Sequence, residues 1–179
     1  MTARAETGED MGMQDAHRRL ANVVRVGKVA EINETTGQVR VRAGEFLTDW
    51  ISFAAPRAGG DRTWWMPEVG EQVVIASPSG DMAQAVVLGA IYQDAHPAPA
   101  NSKDKHRTEY ADGSVVEYDR AAHRLTADLG AAKITADRSQ VVITVGSTKM
   151  TMTAAGTVFD GPVTINGLLT YLIFGVLLG

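Results

Sequence analysis

The 179-residue chain contains no cysteine. Disulfide scaffolds, zinc ribbons, thiol redox chemistry and cysteine nucleophiles are excluded with it. Neither sign of charge dominates: 17 Lys and Arg stand against 21 Asp and Glu, a formal net charge of -4. No strong global field therefore draws the chain to nucleic acid or to anionic lipid. Aromatic residues reach only 6%. No apolar run attains the roughly 20 residues that a transmembrane helix needs; the one continuous apolar stretch runs from Leu168 to Gly179. Met1 to Asp10 is polar and acidic, without the apolar centre of a secretory signal. What is present is ordinary for a folded soluble protein, 45% apolar and 21% charged. The length suits one domain or two small ones.

Catalytic patterns are missing as well. There is no G-x-S-x-G elbow, no phosphate loop and no His-Glu-x-x-His zinc pattern. His123, near Asp119 and beside Arg124, reads as a solvated turn histidine rather than a general base. Carboxylates are numerous, but spacing alone does not mark a glycosidase pair. The expectation is a protein that is not an enzyme and has no cofactor; a cell-wall hydrolase using the rest of the chain as a holder is the weaker alternative.

Residues 1–12 read as a loose tail. Met13 to Val24 reads either as a short helix, with Met13, His17, Leu20 and Val24 on one face, or as a frayed leader. From Val23 the period becomes two. Val24, Val26, Lys28 and Ala30 alternate with Arg25, Gly27, Val29 and Glu31, and Asn33 to Gly37 is a turn before a second strand, Gln38 to Arg42. Asn33-Glu34-Thr35 matches a glycosylation pattern but is read as turn chemistry. Further strands are expected at Trp50–Phe53, Gln72–Ala76 and Ala83–Tyr92. Five or so strands in about 70 residues fit a small Greek-key barrel of the OB type. The expected domains are a tail or short helix over 1–21, an OB barrel over 22–93, a linker over 94–106 stiffened by Pro97 and Pro99, a repetitive β stalk over 107–166 and an apex over 167–179.

The stalk carries the strongest pattern. Leu125, Ala127 and Leu129 share a face; so do Ala132, Ile134 and Ala136, then Val141, Ile143 and Val145, then Met150 and Met152, then Val163 and Ile165. Thr126, Asp128, Lys133, Thr135, Asp137, Thr144, Lys149, Thr151 and Thr164 stand opposite. Turns fall at Gly130, Asp137–Ser139, Gly146, Ala155-Gly156 and Asp160–Pro162. The interval is about nine residues. A single ribbon of this kind cannot bury its apolar face, and sixty residues make too few turns of a one-chain solenoid. Three chains around one axis bury three inward faces and remove free edges. The pattern favours an intertwined trimer, a triple-stranded β-helix or β-prism, over a flat or sandwich arrangement. The expected trimer core is Leu125, Ala127, Leu129, Ile134, Val141, Ile143, Val145, Met150, Met152, Val163 and Ile165. At about 4.7 Å per strand layer the stalk would be roughly 30 Å long.

Three stretches in this order resemble the central spike, or baseplate assembly protein V, of contractile-tailed phages and R-type bacteriocins, with type VI secretion spikes as more distant relatives. The first is Met66-Pro67-Glu68-Val69-Gly70-Glu71-Gln72-Val73-Val74, followed by Ser77–Asp81 and Ala85–Gly89; its collar motif is Pro67, Gly70, Glu71 and Gln72. The second is Thr108–Ser114 leading to Glu117-Tyr118-Asp119, similar to the first strand of the spike stalk. The third is Gly161–Gly167. The resemblance covers residues 20–179. It implies a homotrimeric, membrane-piercing tail spike at the baseplate tip of a virion or bacteriocin particle, assembled in the bacterial host cytoplasm. Its implied partners are the baseplate hub, the tail-tube proteins and, transiently, the target cell's outer membrane; no specific nucleic acid is expected. The chain departs from relatives that bind apical iron through a His-x-His pair: its histidines are His17, His96, His106 and His123, none paired so and none after 123. No metal is expected at the apex. Leu168, Leu169, Tyr171, Leu172, Ile173, Phe174, Val176, Leu177 and Leu178 would form a dry plug instead. The alternative reading is an OB module for single-stranded nucleic acid, with Trp50, Trp64 and Trp65 as a stacking platform, Arg57, Arg62, Lys103, Lys105, His106 and Arg107 as positive charge, and a trimerising tail.

Overall fold

A computed structural model describes residues 3–166, with side chains from Gly12 onward. The chain divides into two compact units, Met1–Pro97 and Ala98–Gly179.

In the first unit, helix α1 spans Ala3–Asn22. It thus takes in nearly all of the segment expected as a loose tail. Asp15 holds its last turns by accepting from Arg18 at 2.6 Å and Arg19 at 2.7 Å. The helix backbone rests on Gly80: a β-carbon added there would lie 2.1 Å from the Arg19 carbonyl oxygen, and Gly80 has a φ of +70°. The position therefore demands glycine for both space and conformation.

The strands of this unit are β1 (Val24–Asn33), β2 (Gln38–Ala43), β3 (Phe46–Leu47), β4 (Ile51–Phe53), β5 (Gln72–Ala76) and β6 (Val86–Ala90). β1 is long enough to serve two neighbours. Val24 to Lys28 pair with β5, and Lys28 to Asn33 pair with β2 across a bulge between Val29 and Glu31. The ring closes through β2–β4, a parallel β4–β6 pair and β5–β6. This is a five-stranded barrel with β3 as a short hairpin on β2. Alternate residues point inward, as a half-buried strand requires. Val29, Val39, Val41, Ala43, Ile51, Val73, Ile75, Ala85 and Val87 form the core. Thr48 is buried yet satisfied, its hydroxyl accepting from the Val41 N–H at 2.9 Å.

The expected strand Ala83–Tyr92 is shorter than its apolar run. Asp81 accepts from the Ala83 N–H at 3.0 Å and turns residues 82–84 into one 3-10 turn, so pairing starts at Val86. Asn33 does the turn chemistry read from its sequence: its side-chain oxygen accepts from the N–H groups of Thr35 and Thr36.

The second unit is one antiparallel meander. Its strands are β7 (Lys105–Glu109), β8 (Val115–Asp119), β9 (Arg124–Asp128), β10 (Ala132–Ala136), β11 (Gln140–Val145), β12 (Thr148–Thr153) and β13 (Gly156–Asp160), each paired with its sequence neighbours. Five of the six turns use a side-chain oxygen to hold a backbone N–H: Asp112 to Ser114, Asp119 to Ala122, Asp128 to Gly130, Asp137 to Ser139 and Gln140, and Thr153 to Ala155. These short Asx and Thr turns keep successive strands in strict antiparallel register.

Several expectations are corrected here. Lys105 and His106, assigned to the linker, belong to β7. Thr108–Ser114 and Glu117–Asp119 are not one strand but the arms and turn of the β7–β8 hairpin. Leu129 lies in the β9–β10 turn, and Val163 and Ile165 lie beyond the last strand, 54% and 52% exposed. Pro162 cannot donate to a ladder, which is consistent with pairing ending at Asp160. The ladders of β7–β13 run within one chain, whereas the interwoven reading placed them between chains.

Candidate assembly surfaces

Cross-strand register sorts every side chain of the second sheet onto one of two faces. Directly opposed residues share a face. One central column runs His106, Tyr118, Leu125, Ala136, Val141, Met152, Thr157. The next runs Thr108, Val116, Ala127, Ile134, Ile143, Met150, Phe159. Ala132 and Val145, paired with each other, flank them. Leu125, Ile134, Val141, Ile143, Val145, Met150 and Met152 therefore lie on a single apolar surface.

No described residue of the chain covers that surface. Among the described residues the core lies between Val29 and Val87, and no described residue from Ala98 to Asn166 is buried. Ile134 is 44% exposed and Phe159 52%. A single sheet layer with an open apolar face lacks the second layer that stabilises β domains.

The opposite face is polar and self-paired. Lys105 lies 2.9 Å from Glu117, Arg107 reaches the same carboxylate at 3.1 Å, Lys133 meets Asp128 at 2.8 Å and Lys149 meets Asp160 at 3.1 Å. Cations, N–H groups and one hydroxyl hold five carboxyls of this unit below their ordinary range. Lys105 and then Arg107 do so for Glu117, Lys133 and then the Gly130 N–H for Asp128, and the Ser139 hydroxyl and N–H for Asp137. Backbone N–H groups of Ser114 and Ala122 do so for Asp112 and Asp119.

A pH dependence follows. Carboxyls depressed in the folded state take up protons more readily when unfolded, so their stabilisation is full above the ordinary carboxylate range and is lost as pH falls through the folded values. The sheet should keep a level melting temperature above about pH 5 and lose it progressively below about pH 4. Thermal melts at stepped pH check this, and Asp137→Asn should flatten the acid limb. A melting temperature unchanged down to pH 3 would contradict it.

In the barrel, the collar motif is a set of backbone contacts rather than a chemical site. Gly70 donates to the Val29 carbonyl at 2.8 Å and the Glu71 carbonyl accepts from the Val29 N–H at 2.9 Å, tying the entry of β5 to β1. The Glu71 carboxylate accepts from the Glu68 N–H at 2.8 Å. The Gln72 carbonyl accepts from the Ile91 N–H, and Gln93 donates to the Gly70 carbonyl. Pro67 precedes this turn.

The tryptophans do not line one basic groove. Trp64 sets its ring edge-on to Phe53 at 6.0 Å and lies over Gly37. Trp50 packs under the Arg40 guanidinium, which is itself paired with Glu31 at 2.9 Å. Arg57 is paired with Asp61. Trp64 and Trp65 are 64% and 66% exposed. They form an aromatic outer surface, and Arg40 and Arg57 of the same unit are each paired with a carboxylate. His123 occupies the β8–β9 turn with a φ of +50°. The expected apex residues, Leu168 to Leu178, fall outside the described residues. Among the described residues no cluster of His, Asp or Glu within one chain is arranged to hold a metal, and no helix is long and apolar enough to cross a membrane.

Two comparisons bear on this architecture. The family model of the type VI secretion system/phage-baseplate injector OB domain matches residues 25–92, the barrel just described. The spike protein of Escherichia phage P2 is 40% identical over 114 residues, which make up 64% of this chain and 54% of that protein. The match thus spans about half the length of that curated relative. The two matches agree: residues 25–92 are similar to the type VI secretion system/phage-baseplate injector OB domain, and the longer match is similar to a phage spike protein.

Proposed function

We propose that the chain is the central spike of a contractile injection machine, a phage tail or an R-type bacteriocin. Three copies cap the tail tube and breach the target outer membrane when the sheath contracts. The observation that carries this reading is the uncovered apolar face of the second sheet. A second and a third copy of the same face are its natural cover, because identical flat surfaces rich in Ile, Val, Leu and Met complement one another around an axis. The ladders within each chain favour a three-sided prism, one sheet per side, with the self-paired polar face outward. Such a prism needs no catalytic group. Axial load falls on many hydrogen-bonded layers together, and the contracting sheath supplies the energy. The barrel attaches the spike to the baseplate hub. The apolar residues after Asn166 close the tip without metal.

Light scattering on a sizing column tests the assembly. The expected mass is about 57 kDa, three times the 19.1 kDa chain. A well-behaved 19.1 kDa monomer would remove the spike reading and leave the apolar face to some other cover.

A further inference from the structure

We infer that three copies of His106 form a metal site on the axis of the assembled sheets, taking one divalent transition-metal ion per three chains. The inference rests on the trimer reading above. From β9 to β12 both central positions of the inner face are apolar in every strand. At β7 they are His106 and Thr108, and β8 sets Tyr118 beside His106. The inner face thus turns polar at the β7 end through these residues, while at the β13 end Thr157 stands beside the apolar Phe159. The charged neighbours Lys105 and Arg107 turn to the other face, where Glu117 engages both. The His106 side chain is exposed in the single chain.

Closing the prism changes its surroundings. A strand of five residues is about 17 Å long, so three such sheets closing a triangular prism lie about 5 Å from the axis. That distance is within reach of an imidazole. Three imidazoles then face one another in an enclosure that water enters only from the end. Unpartnered, they and the hydroxyls of Thr108 and Tyr118 bear a desolvation cost. Convergent neutral imidazole nitrogens are good ligands for Fe, Ni, Cu and Zn ions. Thr108 and Tyr118 are placed to bond waters that complete the coordination. The charge of the ion is met by no carboxylate on this face, which leaves room for a bound anion or hydroxide.

The test titrates the full chain, stripped with chelator, with Co²⁺ and follows visible absorption together with mass. Saturation is expected at one Co²⁺ per three chains in a particle of about 57 kDa. His106→Ala is expected to keep that mass and lose the Co²⁺ band; His106→Asn, closer in shape, replaces it if the alanine variant fails to assemble. A trimer that takes up no Co²⁺, or whose uptake survives these substitutions, overturns the metal site and leaves the trimer standing. A 19.1 kDa particle overturns both.

Discussion

Ile143→Asp is expected to reduce the particle from about 57 kDa to the 19.1 kDa chain. Ile143 sits on the fifth of seven strands, opposed on either side by Ile134 and Met150. In the single chain it is only half-buried, so one carboxylate there can stay hydrated and the sheet itself should still form. In a closed prism three carboxylates would meet in a dry interior without a cation. Desolvating each without a partner costs several kcal/mol, enough to abolish assembly at micromolar concentration. Thr144→Asp, one residue along on the polar face opposite Lys133, is the control and should leave the mass unchanged. A compact trimer from the Ile143→Asp chain would show that this face does not point inward.

The face that this experiment addresses was readable from residue order alone. Leu125-x-Ala127, Ile134-x-Ala136 and Val141-x-Ile143-x-Val145 alternate without interruption, and the Asp-led turns between them preserve parity. Strand β7 was not readable in the same way. Lys105-x-Arg107-x-Glu109 looks like a solvated charged loop. It becomes a strand because Glu117 and Asp119 stand opposite Arg107 and Lys105, a complementarity visible only once register is known. With Lys105 and His106 assigned to the linker, His106 could not be placed on the inner face. Val163 and Ile165 mislead in the opposite direction: their alternation continues the pattern, but Pro162 falls where a further ladder would need a donor. The collar motif was legible as sequence while its physical role was not. Gly70, Glu71 and Gln72 act chiefly through backbone groups, which carry no side-chain signature. Helix α1 exceeds its apolar stripe because helical hydrogen bonding continues through residues that have no periodic apolar face to announce it.

Gly27→Ala is expected to be the most damaging single-methyl change in the barrel. Gly27 is buried on β1, paired with Val73 of β5, where β1 passes from one neighbour to the other. An added β-carbon would lie 2.6 Å from the Arg42 carbonyl oxygen and 2.7 Å from a Val41 methyl. Both obstacles belong to β2, and neither yields easily: Arg42 lies in the ladder to β1, and Val41 is wholly buried among core side chains. The strands must therefore separate. Overpacking of this kind costs about 1–3 kcal/mol. For a unit of this size each kcal/mol lowers the melting temperature by roughly 4–8 °C. Gly89→Ala is the matched control, since nothing lies within 4 Å of its added carbon. Calorimetry should show the barrel transition of Gly27→Ala displaced downward by about 5–20 °C and that of Gly89→Ala nearly unmoved. Equal melting of the two variants would mean that β1 and β2 do not approach this closely in solution. The placement also separates two kinds of failure. Gly27 is distant in sequence from the second sheet and contributes nothing to its apolar face, so a Gly27→Ala chain that loses its barrel transition but keeps the mass of a trimer would locate assembly in the second sheet alone.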